Sequence, residues 1–179
     1  AGENLIENTS GEQKVAVIIG LSTAQNQMER LDGFKDAIST TDRIELIAVS
    51  ESNITELGAA QATYRLLKEH PDITAIFGVS ALDGIGIVKG IEEMQPTQKP
   101  YVIAFDILPE TLEAIEDGSI HVTVAQYPEE MGQLAVEQML AVMNNREVKS
   151  IHYTPTGIVN ASHILHGELI VPPKEGVLP

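Results

Sequence analysis

Apolar positions along the chain follow two alternating periods. Five short apolar runs read as strands buried on both faces: KVAVIIG (Lys14–Gly20), IELIAVS (Ile44–Ser50), ITAIFGV (Ile73–Val79), PYVIAFD (Pro100–Asp106) and HVTVAQ (His121–Gln126). Between them apolar residues recur at the helical spacing of three to four. The first helix carries Met28, Leu31, Phe34, Ala37 and Ile38 on one face, and Ser22 with Gln25 reads as its capping box. The second runs from about Thr55 to His70, started by Asn53 and Glu56, with Leu57, Ala60, Tyr64 and Leu67 as its inner face. HPD (His70–Asp72) stops it, because a residue before proline leaves the helical region. SALDGIGIVKGIEEM (Ser80–Met94) is the third, and its glycines permit close packing. Pro109 opens a short helix closed by Gly118, and Pro128 opens a long one to about Met143. Ile151–Val159 is a last extended segment.

Strands alternating with helices at this spacing predict an α/β fold: a doubly wound parallel sheet with helices on both faces, three layers in all. Ligands of such sheets bind outside the carboxyl ends of the strands. The residues just after the strands include Arg30, Ser80, Asp83, Asp106 and Gln126. An arginine, two acids, a hydroxyl and an amide match the donor and acceptor pattern of a polyhydroxylated small molecule.

Charge narrows the partners. The 179 residues carry a formal net charge of −15, which argues against nucleic acid and against anionic membrane surfaces. There are no cysteines, so disulfides, thiolate metal sites and cysteine nucleophiles are excluded. No apolar run approaches the roughly 18–20 residues that span a membrane. No signal-peptide core is present, so the chain reads as mature or as cut from something longer.

Competing chemical signals are weaker. GVSAL (Gly78–Leu82) resembles a nucleophile elbow, and Ser80, Asp106 and His121 follow the order of an α/β hydrolase. Leu82 stands where the second glycine is needed, however. Gly84 and Gly86 lie inside a helix, not at a strand exit, so they are no dinucleotide fingerprint. HILHGE (His163–Glu168) has two histidines and an acid but no third fixed ligand, and reads as a solvated tail. No cofactor, no metal site and no enzymatic activity are expected.

MERLDGFKDAI (Met28–Ile38), HPDITAIFGVSALDGIGI (His70–Ile87), VIAFDILPETLEAIEDGSI (Val102–Ile120) and TVAQYPEEMGQLAVEQML (Thr123–Leu140) resemble the second half of a type I periplasmic sugar-binding protein, the ribose-binding proteins above all. The motifs ERxxGF, AxFDxxP and VAQxPxxMG carry the likeness, from about Lys14 to Val159. It implies that Arg30, Asp106 and Gln126 bind sugar hydroxyls. Arginine supplies a planar donor fork, and a carboxylate accepts two hydroxyls at once. The chain departs from the pattern twice. Ser80-Ala81 stands for the usual Asn-Asp, and Ile54 for an aromatic stacking residue. Ligand-edge candidates are therefore Arg30, Ser80, Asp106, Gln126 and Ile54, for a sugar-like ligand; ribose itself does not follow.

The family has two similar lobes, and the likeness covers one lobe with its hinge return. Residues 1–13 read as a linker or a remnant of the first lobe, 14–126 as the carboxyl-terminal ligand-binding lobe, 127–155 as a segment returning to the first lobe, and 156–179 as the final strand and tail. The resemblance implies an extracytoplasmic solute receptor, in the periplasm or on the cell surface, handing its ligand to the permease of an ABC transporter by lobe closure. A sensor-kinase ectodomain or the effector domain of a lac-repressor-like regulator shares the fold. The LPETLEAIEDGSIHVTVAQYPEEMG run favours the transport receptors. The helix from Pro128 has apolar residues on more than one face, so it is expected to fold back on its own sheet or to form a homodimer through 127–159.

Overall fold

The computed structural model describes residues 1–165 and 168–169. Five strands run parallel: β1 (Gln13–Ile19), β2 (Ile44–Glu51), β3 (Ala75–Gly78), β4 (Tyr101–Phe105) and β5 (Val122–Gln126). A further strand, β6 (Thr156–Asn160), pairs antiparallel with β5, placing Thr156 opposite Gln126. Among the described residues the sheet order is β2-β1-β3-β4-β5-β6. The order reverses beside β1, so the sheet is doubly wound. β6 is antiparallel because the chain leaves and re-enters the sheet at the same edge. It departs after Gln126 and returns opposite it.

The apolar runs arise from burial on two faces. Val15, Val17 and Ile19 face α1 (Gly2–Asn8) and α2 (Gln25–Ile38), packing with Leu5, Leu31, Phe34 and Ile38. Phe34 stacks on Phe77 at 4.8 Å between ring centroids. Ala16 and Ile18 face the opposite layer, α3 (Glu56–Glu69), α4 (Ala81–Met94) and α5 (Pro109–Glu116), packing with Ala59, Leu66, Ile87, Ile91 and Ile115. Each such Val, Leu, Ile or Phe side chain contributes about 1.5–3 kcal/mol by leaving water. The glycines of α4 set its distance from α3. A Cβ on Gly86 would lie 2.4 Å from that of Ala59, and one on Gly90 would lie 2.6 Å from that of Thr63.

Several local features differ from the sequence reading. Within residues 1–13, read as a linker or a remnant of the first lobe, Gly2–Asn8 forms α1. Leu5 of α1 is fully buried, and the Arg43 guanidinium donates to the carbonyls of Ile6 and Gly11 and to Thr9 Oγ1. Helix α2 begins at Gln25 rather than Ser22. The Ser22 N–H is taken by Glu51 Oε1 at 2.7 Å and that of Leu21 by Gln27 Oε1 at 3.1 Å, so these donors need no helix cap. Thr55, not Asn53, caps α3, accepting from the Gly58 N–H at 3.0 Å. The buried face of α3 is then Ala59, Ala60, Ala62, Thr63, Leu66 and Leu67, while Leu57 is 67% exposed and Tyr64 lies on the flank. The last extended segment forms a strand only from Thr156. Ile164–Leu165 and Glu168–Leu169 pair as β7 and β8. His166, within the histidine tract, lies outside the described residues, as does 170–179.

Helix α6 (Pro128–Met143) buries no residue. The expected fold-back on its own sheet does not occur. Leaving β5 at the sheet's edge, it carries Met131, Val136, Met139, Leu140, Val142 and Met143 into solvent, each more than 40% exposed.

Candidate functional site

The carboxyl edge of the sheet is built strand by strand. After β4 the chain must turn sharply, and it does so at Asp106, whose φ of 66° is left-handed. Few non-glycine residues adopt that region, aspartate among the more tolerant. Its backbone is held on both sides: the Asp106 N–H donates to the Val124 carbonyl at 2.8 Å, and Thr123 Oγ1 donates to the Asp106 carbonyl at 2.7 Å. The carboxylate accepts at Oδ1 from Gln126 Nε2, at the end of β5. One carboxylate oxygen is thus spent on orientation, and Oδ2 is left to accept from something else.

Arg30 comes to the same place from the second turn of α2. Its Nη1 donates to the Val79 carbonyl at 3.0 Å, and its guanidinium carbon lies 3.8 Å from the centroid of the Phe105 ring. Cation–π contact and a backbone acceptor fix the fork in one plane. Burial pulls the Arg30 guanidinium below its ordinary value, and the negative charge of Asp106 opposes that. Arginine stays charged regardless. Arg30, Asp106 and Gln126 therefore form one cluster across β3, β4 and β5.

Ser80 is the residue after Val79 and the cap position of α4. Its Oγ does not cap the helix. It donates to Asp83 Oδ2 at 2.7 Å. Asp83, read from the sequence as an edge residue, is fully buried behind Ser80, and its Oδ1 accepts from Ser52 Oγ at 2.5 Å. Burial pushes the Asp83 carboxyl up, while the two serine hydroxyls pull against it. Ser52 follows β2 and opens the loop bearing Ile54, which is 46% exposed with φ 57°. The edge is thus one arc, from Ile54 through Ser52, Asp83, Ser80 and Arg30 to Asp106 and Gln126. Phe105, Ser52 and Thr123 belong to its support and were missed in the sequence. A hydroxyl residue directly after β2 was the available sign for Ser52.

The hydrolase order is not a site. His121 precedes β5 and its Nδ1 accepts from the Val102 N–H at 3.1 Å, at the amino edge of the sheet. Asp106 lies at the other end of β4, about 13 Å away at 3.3 Å per residue. Ser80, Asp106 and His121 cannot meet. Among the described residues no three His, Asp or Glu side chains are grouped to hold a metal ion, and no helix is long and apolar enough to cross a membrane.

An open α/β sheet with an arginine, a carboxylate and an amide converging at its carboxyl edge has the architecture in which small molecules bind outside the strand ends. The chain belongs to the periplasmic binding protein domain family, whose model matches residues 1–147. Among solved structures it is similar to GanP, a glucose-galactose binding protein from Geobacillus stearothermophilus, with 41% identity and a TM-score of 0.86 over 90% of this chain and 57% of that one. It is similar to a chain of the XylFII–LytSN complex, with 26% identity and a TM-score of 0.83 over 91% of this chain and 58% of that one. The ribose import binding protein of Escherichia coli is 23% identical over 150 residues, 84% of this chain and 50% of the relative. The chain spans about half the length of the curated relatives it matches. The fold and the family resemblance read from the sequence are both borne out.

Proposed function

We propose that this chain is the carboxyl-terminal lobe of a two-lobed, extracytoplasmic binding protein for a sugar-like small molecule, which it delivers to an ABC transporter permease by lobe closure. The observation that carries this is the Arg30–Asp106–Gln126 cluster. A fixed donor fork beside a carboxylate with one uncommitted oxygen suits vicinal hydroxyls, which donate and accept at once. The site offers binding groups, and relatives named as binding proteins support a receptor. Relatives named for ribose, allose and glucose-galactose binding support the ligand class. A thermal-shift panel of D-glucose, D-galactose, D-ribose, D-allose and D-arabinose on the two-lobed protein tests it. A ligand that binds only the folded state raises Tm with concentration. At least one aldose is expected to do so at sub-millimolar levels, and a flat panel overturns the reading.

The same receptor could hand its ligand signal to a membrane sensor. The solved neighbour found in a two-protein complex favours keeping that reading. Co-purification with a permease against co-purification with a sensor ectodomain separates the two.

Helix α6 fits the two-lobed arrangement. Its exposed apolar face suits the other lobe as cover. Taken alone, the chain is proposed to cover it with a second copy, exchanging 127–159 between protomers.

A further inference from the structure

β2 and β3 do not pair with each other; both pair with β1, which lies between them. Their ends are nonetheless tied together, over the end of β1, by one buried carboxylate. Asp83 accepts from Ser52 after β2 and from Ser80 after β3. Ser52 is held on every side. It is fully buried, its N–H donates to the Ile19 carbonyl at 2.8 Å, and its carbonyl accepts from Thr55 Oγ1 at 3.0 Å. A Cβ on Gly58 would lie 1.9 Å from that carbonyl, so α3 presses directly on it. From this anchor the chain runs into two successive left-handed residues, Asn53 (φ 56°) and Ile54 (φ 57°). A β-branched residue in that region is an outlier that persists only where its surroundings over-determine it, and such outliers gather at binding sites.

We propose that Asp83 is a positioning residue for ligand selection, one that fixes the polarity of Ser80 and the place of Ile54. This rests on the sugar-binding reading above. An ionised carboxylate only accepts, so Ser80 commits its single proton to Asp83 and turns lone pairs toward the ligand. Ser80 is then an acceptor. The ligand atom facing it must carry a hydroxyl proton, and a group of the same size that cannot donate is rejected. Ile54, held by the same carboxylate through Ser52, supplies an aliphatic wall at the other end of the arc.

The test uses D-glucose and D-galactose with their monodeoxy and monodeoxyfluoro derivatives, by calorimetry on the two-lobed protein. In the native protein one ring position is expected to lose at least tenfold in affinity on deoxygenation and equally on fluorination, with both losses vanishing in Ser80→Ala. Asp83→Asn can donate to Ser80 and free its proton, so its penalty for fluorine is expected to fall below threefold while the overall fold is kept. In Asp83→Ala the amides of Ser52–Thr55 and Ser80 are expected to exchange at least tenfold faster, with those of Asp106 and Gln126 unchanged. A native protein that tolerates fluorine at every position, an Asn variant with an unchanged fluorine penalty, or unaltered loop exchange in the Ala variant overturns the proposal. A protein that binds neither sugar nor any other aldose of the thermal panel instead overturns the binding reading on which it rests.

Discussion

Gln126 and Asp106 meet across neighbouring strands, the side-chain amide of one orienting a carboxylate oxygen of the other. The contact joins the last residue of β5, where the chain leaves the lobe, to the residue that turns the chain after β4. Asp106, proposed to hold the ligand, is therefore one hydrogen bond from the exit into α6. On the proposed reading, ligand and hinge would share one carboxylate, and closure would then be sensitive to occupancy.

Loss of Gln126 frees Asp106 without removing it. Gln126→Ala is expected to weaken sugar binding by about 1.5–3 kcal/mol, the worth of one hydrogen bond to a charged group. The chain's own stability should change little, because Thr123 and Val124 still hold the Asp106 backbone. Calorimetry paired with urea denaturation checks this. Equal losses in both would show that the contact serves folding rather than ligand.

Close packing of α3 against its neighbours predicts intolerance of a methyl group. Gly58→Ala would place Cβ 1.9 Å from the Ser52 carbonyl, and Gly86→Ala would place it 2.5 Å from that of Glu56. Backbone atoms cannot yield as side-chain ends do, so each substitution is expected to cost about 1–3 kcal/mol. Gly33 is the control, because a methyl added there would meet nothing within 4 Å. Gly33→Ala in α2 should be neutral or slightly stabilising. Chemical denaturation of the three variants reads the difference, and equal stabilities would contradict the packing.

Asp83 gives a pH dependence of known sign. Burial raises its carboxyl in the folded chain, so the native state holds that proton more tightly than the unfolded state. Stability from this group is greatest below the unfolded value near 3.9 and is lost as pH rises through the folded value. Asp83→Asn carries no such proton. The Tm of the Asn variant minus that of the native chain is expected to increase from about pH 3.9 upward and then level off. Scanning calorimetry across the acid range measures it, and a difference independent of pH would contradict it.

Exposed apolar residues on α6 predict association of the chain by itself. Burying three or four of them is worth about 5–12 kcal/mol before ordering costs. Light scattering during size exclusion is expected to show a dimer that dissociates on Met131→Glu with Leu134→Glu. A monomer at every concentration would contradict the exchange of 127–159.

The sheet was legible because burial on both faces leaves an unbroken apolar run, and Val15–Ile19 shows it plainly. Arg30, Asp106 and Gln126 were legible as strand-end polar residues within motifs. Asp83 was not. Nothing local distinguishes an aspartate facing solvent from one turned inward, and its partner Ser52 lies 31 residues away. The left-handed turn at Asp106 was hidden for the same reason, since Thr123 and Val124 impose it from the next strand. Ser22 misled because its N–H is satisfied by Glu51, a side chain across the sheet edge. The antiparallel β6 could not be read from its own residues, because its direction follows from where the chain returns.

Asp106 and Arg30 are proposed to hold a sugar at the carboxyl edge. Titration calorimetry of the two-lobed protein with its best aldose, native against Asp106→Ala and Arg30→Ala, tests it most directly. Each substitution strands a desolvated partner, so each is expected to weaken binding by about 2–4 kcal/mol, with far-ultraviolet circular dichroism unchanged. Native affinity in either variant would contradict the account.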